Sequence, residues 1–266
     1  MNGVDREAIA KRSFLQGLRH NGRVVLDKDG KPIQNAKRVL ISLTSRETVW
    51  ADHAVGLAAM CAFGGAELAI TNQKIEEDSG VPEIGMNNSV EIAKQLGVDY
   101  ILFIAPDIAP RPHTLKKLLE HDLPIVGALY PRSMTPFNVK GRAKDGGDLH
   151  PTERLQEMDA MPMGLVLVRM DVFAQMKRPY FRQGVIEEKP ELEQQAGIVP
   201  SWVLFCSAAR AAGFLVQADL EVSGEVIHSG GNQCMITRAP ASANDGATIG
   251  EPLHVEPATA AEAPAA

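Results

Sequence analysis

Tyr100-Ile101-Leu102-Phe103-Ile104-Ala105 is an unbroken apolar and aromatic run that exits into Pro106-Asp107-Ile108-Ala109-Pro110. A short run of this kind, with Gly97 before it and prolines after it, is the pattern of a strand covered on both faces. Strands of this kind are common in α/β sheets covered by helices on both faces. Ligands of open α/β sheets gather just beyond the carboxyl ends of their strands. Asp107, the one carboxylate delivered there, is therefore the first candidate site residue. The competing role for it is a cap on the turn before Pro110.

The segments around this strand alternate in the same sense. Val39-Leu40-Ile41-Ser42-Leu43 reads as a buried strand closing on the polar turn Thr44-Ser45-Arg46. Helical spacing through Val55, Leu57, Ala58 and Met60 leads to a second strand, Glu67–Thr71. Residues 72–86 are polar and punctuated by Gly and Pro, and the helical pattern resumes from Ser89 to Leu96. Beyond Asp107 follow a helix at Thr114–Leu119, a strand at Pro124–Tyr130, and a loop over residues 131–154. A strand at Gly164–Arg169 and a helix starting at Asp171 come next. After the polar segment from Glu187 to Gly197 stand a helix at Ser201–Ala212 and closing strands at Phe214–Gln217 and Glu225–His228. Strand alternating with helix predicts parallel βαβ units.

Composition fills in the outline. With 45% hydrophobic residues among 266, one large core is within reach, and residues 37–238 are expected to hold it. Residues 1–36 read as a basic arm: nine Lys or Arg up to residue 38 stand against four acids. That arm suits either a solvated face or a phosphate-bearing or acidic partner. Residues 239–266 are rich in Ala and Pro, with Asp245, Glu251, Glu256 and Glu262 as their charges, and are expected to be disordered. A net charge of −6 argues against a general nucleic-acid binder. Cys61, Cys206 and Cys234 have no zinc or disulfide spacing. No apolar run is long enough to span a membrane, and the first residues have no secretory pattern. A cytoplasmic location is expected.

From Val39 to Gly230, five blocks in order resemble the GT-A-fold glycosyltransferases, family-2-like, of phage and bacterial type. The blocks are Tyr100–Ile108, Ile125–Pro136, Met158–Phe173, Ser201–Phe214 and Val226–Gly230. They correspond to the family's Asp-x-Asp strand, its Gly-Leu-Tyr strand, a Gly-Thr-Gly segment, a Glu-Asp helix and a closing Gly-His. The resemblance implies an α/β fold with a GT-A-like mixed, mostly parallel sheet flanked by helices, the nucleotide-diphospho-sugar transferase type. It also implies transfer of a sugar from a nucleotide-diphosphate donor to an acceptor that could be a glycan, a protein or modified DNA. The physical logic is that a departing diphosphate needs a divalent cation to counter its charge, and hard carboxylate oxygens suit Mn²⁺ or Mg²⁺.

Carried over residue by residue, the resemblance makes Thr44, Arg46, Asn87, Asp107, Arg132 and Gly164 donor-binding candidates, with Asp107 and His228 as metal ligands. The chain departs from the family at the chemical positions. Ala105 stands for the first Asp of the metal motif, Ser201-Trp202 for the Glu-Asp pair, Met86 for an Arg, and Pro162-Met163 for a Gly-Thr. Losing a general base typically costs about 10²–10⁴-fold in rate. Acids available as substitutes are Glu187 and Glu188 first, then Glu191, Asp99, Asp122 and Glu225.

Three readings follow. One is a metal-assisted glycosyltransferase with a degenerate Asp-x-Asp motif. The second is a non-catalytic, GT-A-derived binding or scaffold protein, which Ala105 and Ser201-Trp202 favour. The third, a different α/β nucleotide-binding enzyme, is disfavoured because no Gly-rich phosphate loop follows Val39–Leu43. Each candidate also has a plain structural role open to it: a surface charge for Arg46, an ordinary strand-end histidine for His228, packing for Trp202. Cys206, in an apolar helical block, is expected in the core.

Overall fold

A computed structural model describes residues 37–45, 48–74, 82–134, 137–139, 141–147, 149, 153–186, 197–229 and 234–235. The expected basic arm (1–36) and tail (239–266) lie outside the described residues. In chain order the first elements are β1 (Arg38–Ser45), α1 (Ala51–Phe63), β2 (Glu67–Lys74), α2 (Pro82–Leu96), β3 (Tyr100–Ile104) and β4 (Ile108–Ala109). Then come α3 (Thr114–Glu120), β5 (Ile125–Gly127), β6 (Pro131–Met134), β7 (Phe137–Val139), β8 (Arg142–Ala143) and β9 (Leu155–Ala160). β10 (Leu165–Arg169), α4 (Met170–Gln175), β11 (Gly184–Ile186), β12 (Gly197–Val199) and α5 (Ser201–Ala211) follow. The last are β13 (Val216–Asp219), α6 (Leu220–Ser223), β14 (Ile227–His228) and β15 (Cys234–Met235).

Eight strands form one sheet in the order β2-β1-β3-β10-β5-β13-β9-β8. β1 pairs in parallel with β2 and β3, and β5 with β13, while β10 and β9 run against their neighbours. The sheet is thus mixed, with most strands pointing one way. The reversal at β10 matters for the site. It brings the amino end of β10 to the carboxyl end of β3, with Leu165 opposite Ile104 and the Ala105 N–H donating to the Gly164 carbonyl at 2.8 Å.

β3 behaves as its sequence requires. Each of its five residues is 2% exposed or less. Ile101 and Phe103 enter a cluster with Met86 and Val90 of α2, Phe173 of α4, and Phe205 and Cys206 of α5. Tyr100, Leu102 and Ile104 enter the opposite cluster with Met60 of α1, Leu115 and Leu118 of α3, and Val222 of α6. Alternate side chains of one strand therefore nail both helical layers to the sheet. Aromatics are few, but Phe103, Phe173, Tyr180, Phe181 and Phe205 are gathered in one group. Phe181 stacks on Phe205 at 4.7 Å between centroids and meets Phe103 edge-on at 5.1 Å.

Two expectations need correction. α2 begins at Pro82, not Ser89. Pro at a first helical turn loses no hydrogen bond, since that N–H has no partner within the helix. The polar residues that hide the pattern are used inside the fold, as Ser89 and Asn87 show below. The stretch read as a loop over 131–154 contains the short strands β6, β7 and β8, and β9 follows it unannounced. β9 alternates inward Gln156, Met158 and Ala160; a buried glutamine breaks the hydropathy signal by which such a strand is recognised.

Phe181→Ala removes the ring at the centre of the aromatic group. We expect it to lower unfolding free energy by about 3–5 kcal/mol, read from the urea midpoint.

Candidate functional site

The turn that carries Asp107 is held at every carbonyl from residue 105 to residue 108. The Ala105 carbonyl accepts from Ile108 N–H (3.1 Å), Pro106 from Trp50 N–H (3.2 Å) and Asp107 from Ser229 N–H (2.7 Å). The Ile108 carbonyl accepts from the Nδ1 of His53 at 2.7 Å. Two of these donors come from the start of α1. The same helix packs so close that a Cβ on Gly56 would collide with the Pro110 carbonyl oxygen. The turn is fixed by partners from three directions, which sets the direction in which the Asp107 side chain leaves the backbone.

β4 then pairs antiparallel with β14, placing Ile108 opposite His228. This short ribbon brings together the two residues expected to share a metal. His228 Nε2 lies 3.1 Å from Asp107 Oδ2, and its Nδ1 is 2.7 Å from the Pro131 carbonyl oxygen. A carbonyl only accepts, so Nδ1 carries a proton. In the neutral ring Nε2 is then the lone-pair atom, and it faces a carboxylate oxygen. In the charged ring Nε2 donates to that carboxylate instead. An oxygen and an imidazole nitrogen side by side, with the second nitrogen tied to a carbonyl, could supply two ligands to a divalent cation. Among the described residues, no group of three or more His, Cys, Asp or Glu could hold a metal by itself.

Beside this pair, at the carboxyl ends of β1 and β3, a cleft of about 190 Å³ is lined by Ser42, Thr44, Ala105, Gly164, Ser201 and Trp202, among others. Its wall includes Tyr130, whose ring centroid is 5.4 Å from that of His228, so cleft and pair adjoin. The position of Gly164 has a definite cause: any Cβ there would overlap the Tyr130 hydroxyl. Burial pushes the Tyr130 phenol well above its usual pKa, the Asp107 charge adds to this, and the Gly164 N–H opposes it. Tyr130 is accordingly a neutral hydroxyl at the cleft. None of the described lining residues is acidic.

The remaining candidates fare differently. Asn87 has its carboxamide committed: Nδ2 donates to the carbonyls of Glu83 and Phe181, and Oδ1 accepts from the N–H groups of Tyr180 and Phe181. It clamps α2 to the chain entering β11, a structural duty that leaves no polar atom for a donor. Asp99 and Asp122 lie at the other end of β3, tied to Arg38 N–H and the Tyr100 hydroxyl. Glu225 is paired with Lys117. Asp99 and Asp122, at the far end of the strand, are not placed to substitute for the missing acids. Arg46, Glu187, Glu188 and Glu191 lie outside the described residues, as does the side chain of Arg132, whose backbone belongs to β6. Trp202 borders the cleft and also packs against the core. Cys206 is buried as expected, and burial pushes its thiol up to about 11.

Sequence reasoning missed His53 and Tyr130. A histidine inside the apolar helix Ala51–Phe63 is the signal that was available for the first. Tyr130 closes an apolar run and looks like core, which it also is.

Neither a protein-family model nor a curated protein matches the chain. Among solved structures it is similar to the crystal structure of A197 from STIV, with a TM-score of 0.52 and 14% identity. The match covers 82% of this chain and 100% of that one. At this identity the likeness is one of fold, and the mixed sheet with its flanking helices matches a GT-A-like architecture. No helix among the described residues is long and apolar enough to cross a membrane.

Burial holds the His53 imidazole below its ordinary pKa; the Ile108 carbonyl, the Asp107 charge and the Ala105 carbonyl pull the other way less strongly. Unfolded, the ring takes up a proton below about pH 6.5; folded, it stays neutral to lower pH. The unfolded state then binds more protons, so this stability is full above that pH and is lost as pH falls below it. We expect His53→Gln to flatten part of the stability loss between pH 7.5 and 5.5 in urea unfolding. Asn87→Ala, which strands buried backbone groups, is expected to lower stability by about 1–3 kcal/mol at any of these pH values.

Proposed function

We propose that the protein binds a nucleotide-diphosphate sugar in the cleft beyond β1 and β3, assisted by Mn²⁺ or Mg²⁺ held by Asp107 and His228. The observation that carries this reading is the Asp107–His228 pair, 3.1 Å apart beside the cleft, with Nδ1 tied to Pro131. Two protein ligands leave most of a cation's shell to water and phosphate. That is how Mg²⁺ commonly binds at phosphate sites, so cation and nucleotide should bind together. When bound, the cation counters the negative charge of the diphosphate. Thr44 and Gly164 border the space for the donor, with Arg46 and Arg132 as candidates for its phosphates. In this reading Glu187 or Glu188, which precede α5, supplies the base. The acceptor is a glycan, a protein or modified DNA.

A second reading has its own support. Ala105, Ser201 and Trp202 line the cleft where the resembled family has acids, and no described acid takes their place. A non-catalytic, GT-A-derived binding protein would keep the nucleotide site and lose turnover.

Calorimetry with a panel of nucleoside diphosphates, UDP first, separates these outcomes. Binding that strengthens with Mn²⁺ supports the site, and donor hydrolysis or transfer supports the enzyme. Binding with no turnover supports the second reading, and no binding under any condition contradicts both. Asp107→Asn is expected to weaken Mn²⁺-assisted binding by at least about tenfold. Ala105→Asp is expected to strengthen the Mn²⁺ dependence; an unchanged response would mean that Asp107 is not at a cation site.

A further inference from the structure

We infer that His53 is the positioning residue for Asp107, fixing through the backbone where that carboxylate points; this rests on reading Asp107 and His228 as a cation site. His53 and Met60 are the buried residues of α1, and His53 is fully buried. Its Nε2 is buried without a hydrogen-bond partner among the described residues. An unpaired buried polar atom costs about 1–3 kcal/mol. An apolar side chain of similar size would avoid that cost but would leave the Ile108 carbonyl without its side-chain donor. What the histidine provides is one N–H, donated to the Ile108 carbonyl at 2.7 Å.

That carbonyl belongs to the residue following Asp107 and opposite His228. The carbonyl of the preceding residue, Pro106, is held by Trp50 N–H. Trp50 and His53, at the start of α1, thus hold the carbonyls of the residues on either side of Asp107. Ser229 N–H holds the carbonyl of Asp107 itself. Removing the His53 donor frees one flank of the turn, and the carboxylate loses its fixed direction toward Nε2 of His228.

The test compares His53→Leu, His53→Gln and Met60→Ala by amide hydrogen exchange and by calorimetry with UDP and Mn²⁺. In His53→Leu, exchange at the Ile108 and Ser229 amides is expected to quicken about tenfold while β1 and β3 amides hold, and UDP–Mn²⁺ affinity to fall about tenfold. His53→Gln keeps a side-chain N–H and is expected to recover most of both. Met60→Ala disturbs the same helix away from the turn; it is expected to quicken exchange generally and leave affinity within about twofold. Should His53→Leu not fold, His53→Asn, too short to reach the carbonyl, carries the same expectation. Wild-type exchange at Ile108 and Ser229 in His53→Leu overturns the inference. So does a loosened turn with unchanged affinity, or a Met60→Ala variant that matches the affinity loss. A wild-type protein that binds no UDP with Mn²⁺ removes the cation-site reading, while the exchange data still decide whether His53 holds the turn.

Discussion

The structure depends on β3 being buried on both faces and hydrogen-bonded on both edges. Its side chains tie α2, α4 and α5 to one side of the sheet and α1, α3 and α6 to the other. Its edges are taken by β1 in parallel and β10 in antiparallel sense. Each fully buried side chain of this kind stabilises by about 1.5–3 kcal/mol, so the strand cannot shift without loss in both layers. The turn it feeds inherits that rigidity. Pinned at four successive carbonyls, the turn presents Asp107 from a fixed backbone.

Much of the fold was legible because its main elements are short apolar runs with clear ends. The runs Tyr100–Ala105, Val39–Leu43 and Gly164–Arg169 were read as strands from that signal, and β3, β1 and β10 lie there. The elements that escaped notice lack it. β9 buries Gln156, and the first turns of α2 are polar because Asn87 and Ser89 bond within the fold. Ser89 accepts from Ser42 and donates to the Gly85 carbonyl. Hydropathy sees such residues as surface.

The candidate site was legible only where chemistry and sequence order agreed. Asp107 and His228 were paired by resemblance, and the β4–β14 ribbon does bring them together across 121 positions. His53 acts through a backbone carbonyl, and nothing in the linear sequence joins residue 53 to residue 108. Asn87 shows the reverse: a polar residue at a matching position whose hydrogen bonds serve the scaffold. Where the resembled family has two carboxylates before and on the turn, this chain has Ala105 and Asp107. In the proposed reading, that low negative charge suits a cation that arrives with phosphates better than one bound alone.

The most direct test of this account is anomalous diffraction at the manganese edge from crystals grown with UDP and Mn²⁺. The account predicts one manganese peak within bonding distance of Asp107 Oδ2 and His228 Nε2, with the diphosphate completing its shell and the nucleoside in the cleft beside Thr44 and Gly164. A well-ordered nucleotide elsewhere, or manganese bound away from Asp107 and His228, would contradict it.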